Sequence, residues 1–574
     1  MRIILITILT FIAASAQKPA SADLILHNGV IYTVDAKNSI TQAVAIRDGK
    51  FVVVGSNKDA LRLRGPQTRV IDLRGQFVTP GFNDNHVHFA SAAQFLDFNI
   101  MNVSTQEQFV ARVKDVTSRL AKGEWIVGGF WGAYDQWAAG SAGGQRREPF
   151  APDMTLVEEI TADHPMFIRR FDDTQFAANR AALRALKLDR DNPMAPEVEF
   201  LKDKERRFNG HMRGRGVTSM FASVVPRTFS KERRLQQTKK ALAEIRRYGV
   251  TNISDMSDDT QLDIYRDLQQ QGELTVRVHF RPGLDRWKEM ADRSIKAGSG
   301  NEWIRLGALK GHIDGIMGTS TARFFQPYSH DPNNRGRWRP LMVNDKGEFV
   351  DGKFLGYMVD ADGAGLQLTV HAIGDEANSL LLNYLEELNR RNGKRDRRFR
   401  LVHAQVLAPE DFKRLGQLGV VAEVQPFHLS DDMRWMEERI GVERSKGAYA
   451  FKSIQASGAI LSFGTDWPGT SASEYPINPM LGLYAAVTRQ TVGGEPKTGW
   501  FPDERISIED AIRAYTYNTA YANFEEKIKG SIEVGKFADL VVLSKNLLRI
   551  PPKDLLATEV VYTIVNGRIV YDRK

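Results

Sequence analysis

Apolar residues recur along this chain with two different periods, and over its middle the two periods alternate. Across residues 232–248, Leu235, Thr238, Leu242 and Ile245 fall on one helical stripe; Gly249 ends the pattern, and Val250-Thr251-Asn252-Ile253 then reads as a strand. Further β-rich runs lie at 275–280, 305–310, 366–371, 399–403, 420–424 and 460–463, with helical patterns at 376–391, 409–418 and 508–518. Counted with the apolar run that opens at Val78, this predicts eight strands and an α/β fold, a (β/α)8 TIM barrel spanning residues 78–524.

The two ends of the chain follow a different rhythm. Short β-rich runs occupy 24–34, 43–47, 51–55 and 70–72, and again 538–543 and 560–571. Asn28-Gly29 and Asn566-Gly567 each divide such a run and predict two hairpins. Residues 23–77 and 525–574 are therefore expected to build one small β-sandwich domain from both chain ends. Between the first and second barrel strands lies a long segment, residues 95–227, with its own helix (Ser104 capping it, Glu107 at the capping-box position) and strands at 125–130 and 166–171. It reads as an insertion after barrel strand 1, placed to cap the barrel mouth.

Met1-Arg2 precedes an apolar run, residues 3–12, that is short for a membrane span, and Ala14-Ser15-Ala16 and Ala20-Ser21-Ala22 follow it. A positive start, an apolar stretch and small-x-small sites predict a signal peptide over 1–22 and a secreted or periplasmic product. No later stretch is long and apolar enough for a membrane helix, so no stable membrane association is expected after cleavage. The absence of cysteine removes disulfides and thiolate chemistry. The net charge of +8 does not imply a nucleic-acid partner, because the densest basic runs, 204–215 and 394–400, lack interleaved aromatics.

Candidate chemistry begins at the end of the first strand. His86 and His88 are separated by one residue, so in an extended chain both side chains point the same way and can reach one metal ion. Four later runs also end in metal-competent or ionisable residues: Lys310, His371, His403 and Asp466. Each alone has an ordinary explanation, as a hydrogen-bonded histidine or a helix-capping aspartate. In a (β/α)8 barrel, however, the C-terminal ends of the strands converge on one mouth, so all six would meet there. The set points to a site for one or two divalent ions, and imidazoles with a carboxylate suit zinc.

Pro80-Gly81-Phe82-Asn83-Asp84-Asn85-His86-Val87-His88, Lys310 with Asp314-Gly315, His371-Ala372-Ile373-Gly374-Asp375, His403-Ala404-Gln405, Gln425-Pro426-Phe427-His428 and Phe463-Gly464-Thr465-Asp466 occur in that order. This ordered set resembles the amidohydrolase superfamily, in particular the amidohydrolase family 3 branch that includes N-substituted formamide deformylases. The resemblance implies that His86 and His88 bind the more buried metal, that His371 and His403 bind the second, and that Asp466 is both ligand and proton-transfer group. It also implies a carbamate (N6-carboxylysine) at Lys310 bridging the two metals; an unmodified Lys310 would be a structural lysine in a one-metal site. Many relatives carry Asp-Gly-His in the inserted segment, where this chain has Asp172-Asp173-Thr174. Trp131, Tyr134, His312 and His428 are the further candidates for substrate contacts, each with ordinary packing as the other reading.

The activity expected is that of an exported metal-dependent amidohydrolase acting on a small molecule. A metal-activated hydroxide would cleave a non-peptide C–N bond, with an N-acyl or N-formyl amine as substrate. An ester, a lactone or a deamination could use the same site, and a non-catalytic barrel is the alternative of a different class. Homo-oligomerisation is left open.

Overall fold

The computed structural model describes residues 20–132, 150–171, 173–189, 191–226, 229–470 and 473–573. Its centre is a run of parallel strands alternating with helices: β1 (Phe82–Val87), β2 (Val250–Asp255), β3 (Arg277–Phe280), β4 (Ile304–Leu306 continuing as Ala308–His312), β5 (Gln367–Ala372), β6 (Arg400–His403), β7 (Val421–Val424) and β8 (Ile460–Phe463). These form two sheets, not one hydrogen-bonded cylinder. β1, β2, β3 and the first half of β4 make one sheet; the second half of β4 pairs with β5, and β5 to β8 complete the other.

The division falls inside β4 for a steric reason. Gly307 takes φ of +93°, and a Cβ there would lie 1.9 Å from the Lys296 carbonyl oxygen. Only glycine makes this bend, which releases Ile304–Leu306 to pair with β3 and Ala308–His312 to pair with β5. At the opposite seam β1 and β8 share no strand ladder: Asn85 Nδ2 donates to Ser462 Oγ, and past the end of β8 Asp466 N donates to His86 O and Trp467 O accepts from His88 N, all at 2.8 Å. The arrangement is TIM-barrel-like, and the seam between β1 and β8 lies at the end of the strands that carries the histidines.

The opening stretch splits where the sequence reading ran it together. Phe77–Pro80 pairs with Leu540–Leu543 and Val30–Tyr32 in a terminal sheet, and β1 begins only at Phe82. The hydrogen bonds mark the switch: Gly81 N donates to Asp539 O, and Phe82 N to Gly249 O. Both chain ends thus meet in a six-stranded sheet, beside a four-stranded sheet built from residues between Leu24 and Asp72. Asn566-Gly567 makes the expected hairpin, but Asn28-Gly29 does not. Leu24–His27 pairs with Ala43–Arg47, and Val30–Tyr32 with Phe77–Pro80, so the strand crosses between sheets at Asn28. A Cβ at Gly29 would sit 2.5 Å from the Leu73 side chain; close packing, not turn geometry, calls for that glycine.

The segment after β1 forms a separate five-stranded sheet containing Ile126–Trp131, Met166–Arg170 and Phe176–Ala178. Its helix, Gln106–Thr117, is capped by Thr105, one residue later than expected, with the Thr105 side chain accepting from Gln108 N. Among the described residues no helix is long and apolar enough to cross a membrane.

Candidate metal centre

The ends of β1, β6 and β8 place the tightest group of metal-competent side chains. One ligand atom from each of His86, His403 and Asp466 lies within 4.8 Å of the others, and all three residues are buried. His86 Nδ1 is 2.8 Å from Glu423 Oε1 on β7, and His403 Nδ1 is 2.7 Å from Gln425 Oε1 just after it. In each pair the imidazole N–H donates to an oxygen, which fixes the tautomer and leaves Nε2 as a lone pair. His88, half-exposed, adds its Nε2 at 3.2 Å from Asp466 Oδ1.

These tautomers make the site fit a cation. His86 Nε2 lies 3.4 Å from Asp466 Oδ1 and, with the ring proton on Nδ1, donates no hydrogen bond to it. Burial holds the His86 imidazolium form well below the ordinary histidine range, reinforced by the Lys310 charge. A neutral ring therefore presents its lone pair to a carboxylate, and a positive ion is what reconciles two such acceptors. Burial pushes the Asp466 carboxyl up, but positive charge gathered among His86, His88 and His428 outweighs it and holds the carboxyl well below the usual range.

His371 and Lys310 stand at the edge of this group. His371 Nε2 is 2.9 Å from Gly315 O, so Nε2 carries the proton and Nδ1 is the free acceptor, the reverse of His86 and His403. Its ring centroid is 4.5 Å from that of His403. Lys310 is buried on β4, its Nζ has no hydrogen-bond partner, and burial pushes the ammonium down to about 7. A lysine so placed is substantially neutral amine near neutral pH.

The backbone is bent at the same residues. His403, Ala404 and Asp466 have φ of +75°, +43° and +62°, left-handed values uncommon for residues with a Cβ. Such conformations persist where surrounding structure over-determines them. Asp466 is held by its N–H on His86 O and its carbonyl on Gly469 N.

His86, His88, Lys310, His371, His403 and Asp466 all line one cavity of about 260 Å³, with His312 and His428. Trp131 does not reach it: its side chain is fully buried in the core of the inserted sheet, edge-on to His211 at 5.8 Å. Tyr134 lies outside the described residues. Asp173 and Thr174 also lie away from the cavity; Asp173 adopts φ of +57° and pairs with Arg169 at 3.2 Å. The reading by residue type missed Glu423, Arg281, Arg400, Asp431 and Asp432. Glu423 carried a signal, a lone acid inside the apolar run Val420 to Val424.

Residues 69–571 match the amidohydrolase family. The chain belongs to that family. This amidohydrolase is 33% identical to Protein LONG AFTER FAR-RED 3 of Arabidopsis thaliana, over 96% of this chain and 92% of that protein. It is 25% identical to the N-substituted formamide deformylase of Arthrobacter pascens, over 96% and 98%. An uncharacterised metal-dependent hydrolase from Pyrococcus furiosus shares the fold with a TM-score of 0.71 at 24% identity, covering 92% of this chain and all of that one. As a member of the amidohydrolase family, the protein is a hydrolase acting on C–N bonds.

Proposed function

We propose that this amidohydrolase cleaves the amide bond of a small N-formyl or N-acyl amine. The observation that carries the reading is the convergence of His86, His403 and Asp466, with acceptor atoms facing one another, on a cavity of about 260 Å³. The similarity to an N-substituted formamide deformylase over nearly the full length of both chains favours this substrate class. In the same reading the two parallel sheets act as one (β/α)8 barrel. Residues 23–80 and 525–574 are its composite β-domain, and 95–227 its insertion.

His86, His88 and Asp466 would hold one divalent ion, zinc by the chemistry of the donor set, and His371 and His403 would hold a second. Lys310 would complete the set as a carbamate, its neutral amine adding carbon dioxide with loss of one proton, and its burial, which pushes the ammonium down to about 7, favours that form. Bound divalent ions supply Lewis acidity, polarising a carbonyl and acidifying water. Asp466 takes a proton from the attacking water and delivers it to the departing nitrogen. The water oxygen bonds to the carbonyl carbon, the C–N bond breaks, and a carboxylic acid and a free amine leave. Glu423 and Gln425 keep His86 and His403 in the tautomers this requires.

A hydrolysis panel of formamides, acetamides, esters and lactones, run with zinc-reconstituted protein, tests the reading. Amide members are expected to be cleaved first, with amine appearing in step with acid. Cleavage confined to esters or lactones would overturn it. The double variant His86→Ala/His88→Ala is expected to lose at least one equivalent of metal by elemental analysis; unchanged stoichiometry would reject the ligand assignment.

Export through the N-terminal signal is part of the proposal. Of the two small-residue sites, the first is favoured by what a cut after Ala22 would remove. Ala22 is buried, its N–H donates to Leu63 O at 2.8 Å, and the Ala20 carbonyl accepts from Arg47 at 2.6 Å. Cleavage after Ala16 leaves these contacts intact. Mass spectrometry of the protein recovered after export is expected to give Gln17 as the first residue, and an intact Met1 would refute export by this route.

A further inference from the structure

The helix Pro426–Asp432 follows β7 directly and presents three polar side chains, His428, Asp431 and Asp432, to the reaction cavity. Their spacing of i, i+3 and i+4 sets them on one helical face. All three are more than nine-tenths buried, at 6%, 7% and 5% exposure. Asp431 is fully accounted for: it pairs with Arg434 at 2.6 Å and accepts from Ser473 Oγ at 2.7 Å and Tyr475 OH at 3.2 Å.

Asp432 is not. Its Oδ2 accepts from Gln405 Nε2 and Tyr449 OH, both at 2.6 Å and both neutral donors. The cation that acts on it is Arg439, whose guanidinium is engaged by the Met317 and Gly318 carbonyls. Burial, and after it the Asp431 charge, push the Asp432 carboxyl up to about 8. A buried carboxylate beside a second one, with no cation at ion-pair distance among the described residues, is costly to ionise unless a ligand brings the positive charge. His428 supplies a second, independent sign of a ligand. Its Nε2 is buried and has no hydrogen-bond partner among the described residues, 4.0 Å from Asp466 Oδ2. Its ring stacks on Tyr475 with centroids 3.9 Å apart, and the Tyr475 hydroxyl leads to Asp431. His428 and Tyr475 therefore fill the space between Asp466 and the acidic pair.

The opposite side of the cavity carries the opposite charge. Arg339 lines it beyond β4, with N–H on Ile313 O and Nε on Asp314 O, three strands away from β7. A dipolar cavity of this kind orients a cation toward the helix.

We propose that this helical face is the subsite for the amine half of the substrate, and that the substrate class is the N-formyl or N-acyl derivative of an amine carrying a second protonated amino group, with Asp432 as its counter-ion. His428 Nε2 is placed to accept a hydrogen bond from the nitrogen that departs. The inference rests on amide hydrolysis at Asp466, and the cavity volume of about 260 Å³ restricts it to short amines.

The test compares N-formyl-1,4-diaminobutane with N-formylpentylamine, in which a methyl replaces the distal ammonium, using the metal-loaded enzyme. Wild type is expected to prefer the cationic substrate by at least about 10-fold in kcat/KM, and Asp432→Asn, which keeps the shape, to bring the ratio within about two-fold. Equal rates in wild type, or an unchanged ratio in a folded Asp432→Asn, would overturn the subsite. Should that variant fail to fold, the wild-type preference alone decides. Calorimetric binding of the free amines separates this inference from the reading beneath it. Tighter binding of 1,4-diaminobutane than of pentylamine, with neither formamide cleaved, supports the subsite and rejects amide hydrolysis. Cleavage of both formamides without preference does the reverse.

Discussion

Asp466→Asn is expected to fold, to keep at least part of its metal, and to lose at least about 100-fold in turnover, the scale of removing a general acid/base group. Asparagine preserves the shape and one oxygen but cannot take up a proton from the attacking water. The backbone at residue 466 is left-handed, a conformation asparagine also accepts, so the change is confined to the chemistry. The loss should fall on kcat more than on KM, because the group acts on the reacting atoms and not on the body of the substrate. Steady-state kinetics on a cleaved formamide, with metal content and circular dichroism on the same preparation, make the measurement. A folded, metal-loaded Asp466→Asn within a few-fold of wild type would remove Asp466 from the proton-transfer role.

Glu423→Gln is expected to be the most destabilising single change near the site. Glu423 is wholly buried between two wholly buried arginines: Arg281 NH1 lies 3.0 Å from Oε2, and Arg400 Nε lies 2.6 Å from it. The Glu423 Oε1 atom also receives the His86 N–H. Neutralising this carboxylate leaves two guanidinium charges in the interior, and breaking a buried pair by removing one partner costs about 3–5 kcal/mol. The midpoint of urea unfolding should fall accordingly, and metal affinity should fall by about 10–100-fold as the His86 N–H exchanges a carboxylate acceptor for a weaker, neutral amide oxygen. Burial pushes the Glu423 carboxyl up, but Arg281 and Arg400 outweigh it and hold it below the ordinary glutamate value. Its contribution to stability is therefore present above the unfolded-state glutamate pKa and is lost as pH falls through the depressed folded value. Wild type should lose stability on acidification over that window more steeply than Glu423→Gln, and parallel pH profiles would refute the assignment.

Much of this was legible in one dimension because it is local. Period-two apolar runs alternating with helical stripes marked the strands of the parallel sheets, and a polar residue closing each run marked His371, His403, Lys310 and Asp466. A strand end is a local event, and the fold class brings strand ends together, so the membership of the cavity followed from the pattern. Trp131 shows the limit: an aromatic at the end of a strand in the insertion looks the same whether it faces substrate or its own core, and here it faces the core.

What the tertiary structure alone decided concerns partners far apart in the chain. Asn28-Gly29 carries a hairpin signal as strong as Asn566-Gly567, yet the first joins two sheets, because Val30–Tyr32 finds its partner at Phe77–Pro80. The tautomers of His86 and His403, on which the fit to a cation depends, are set by Glu423 and Gln425, and the first of these pairs spans 337 positions. The lack of an ion-pair partner for Asp432 among the described residues is likewise invisible in Ser430-Asp431-Asp432, since only the folded chain shows that Arg434 pairs with Asp431. Local propensity and apolar period determine which elements form and which residues end them. Charge balance, ring orientation and sheet membership are properties of contacts through space, and the sequence by itself holds no term for them.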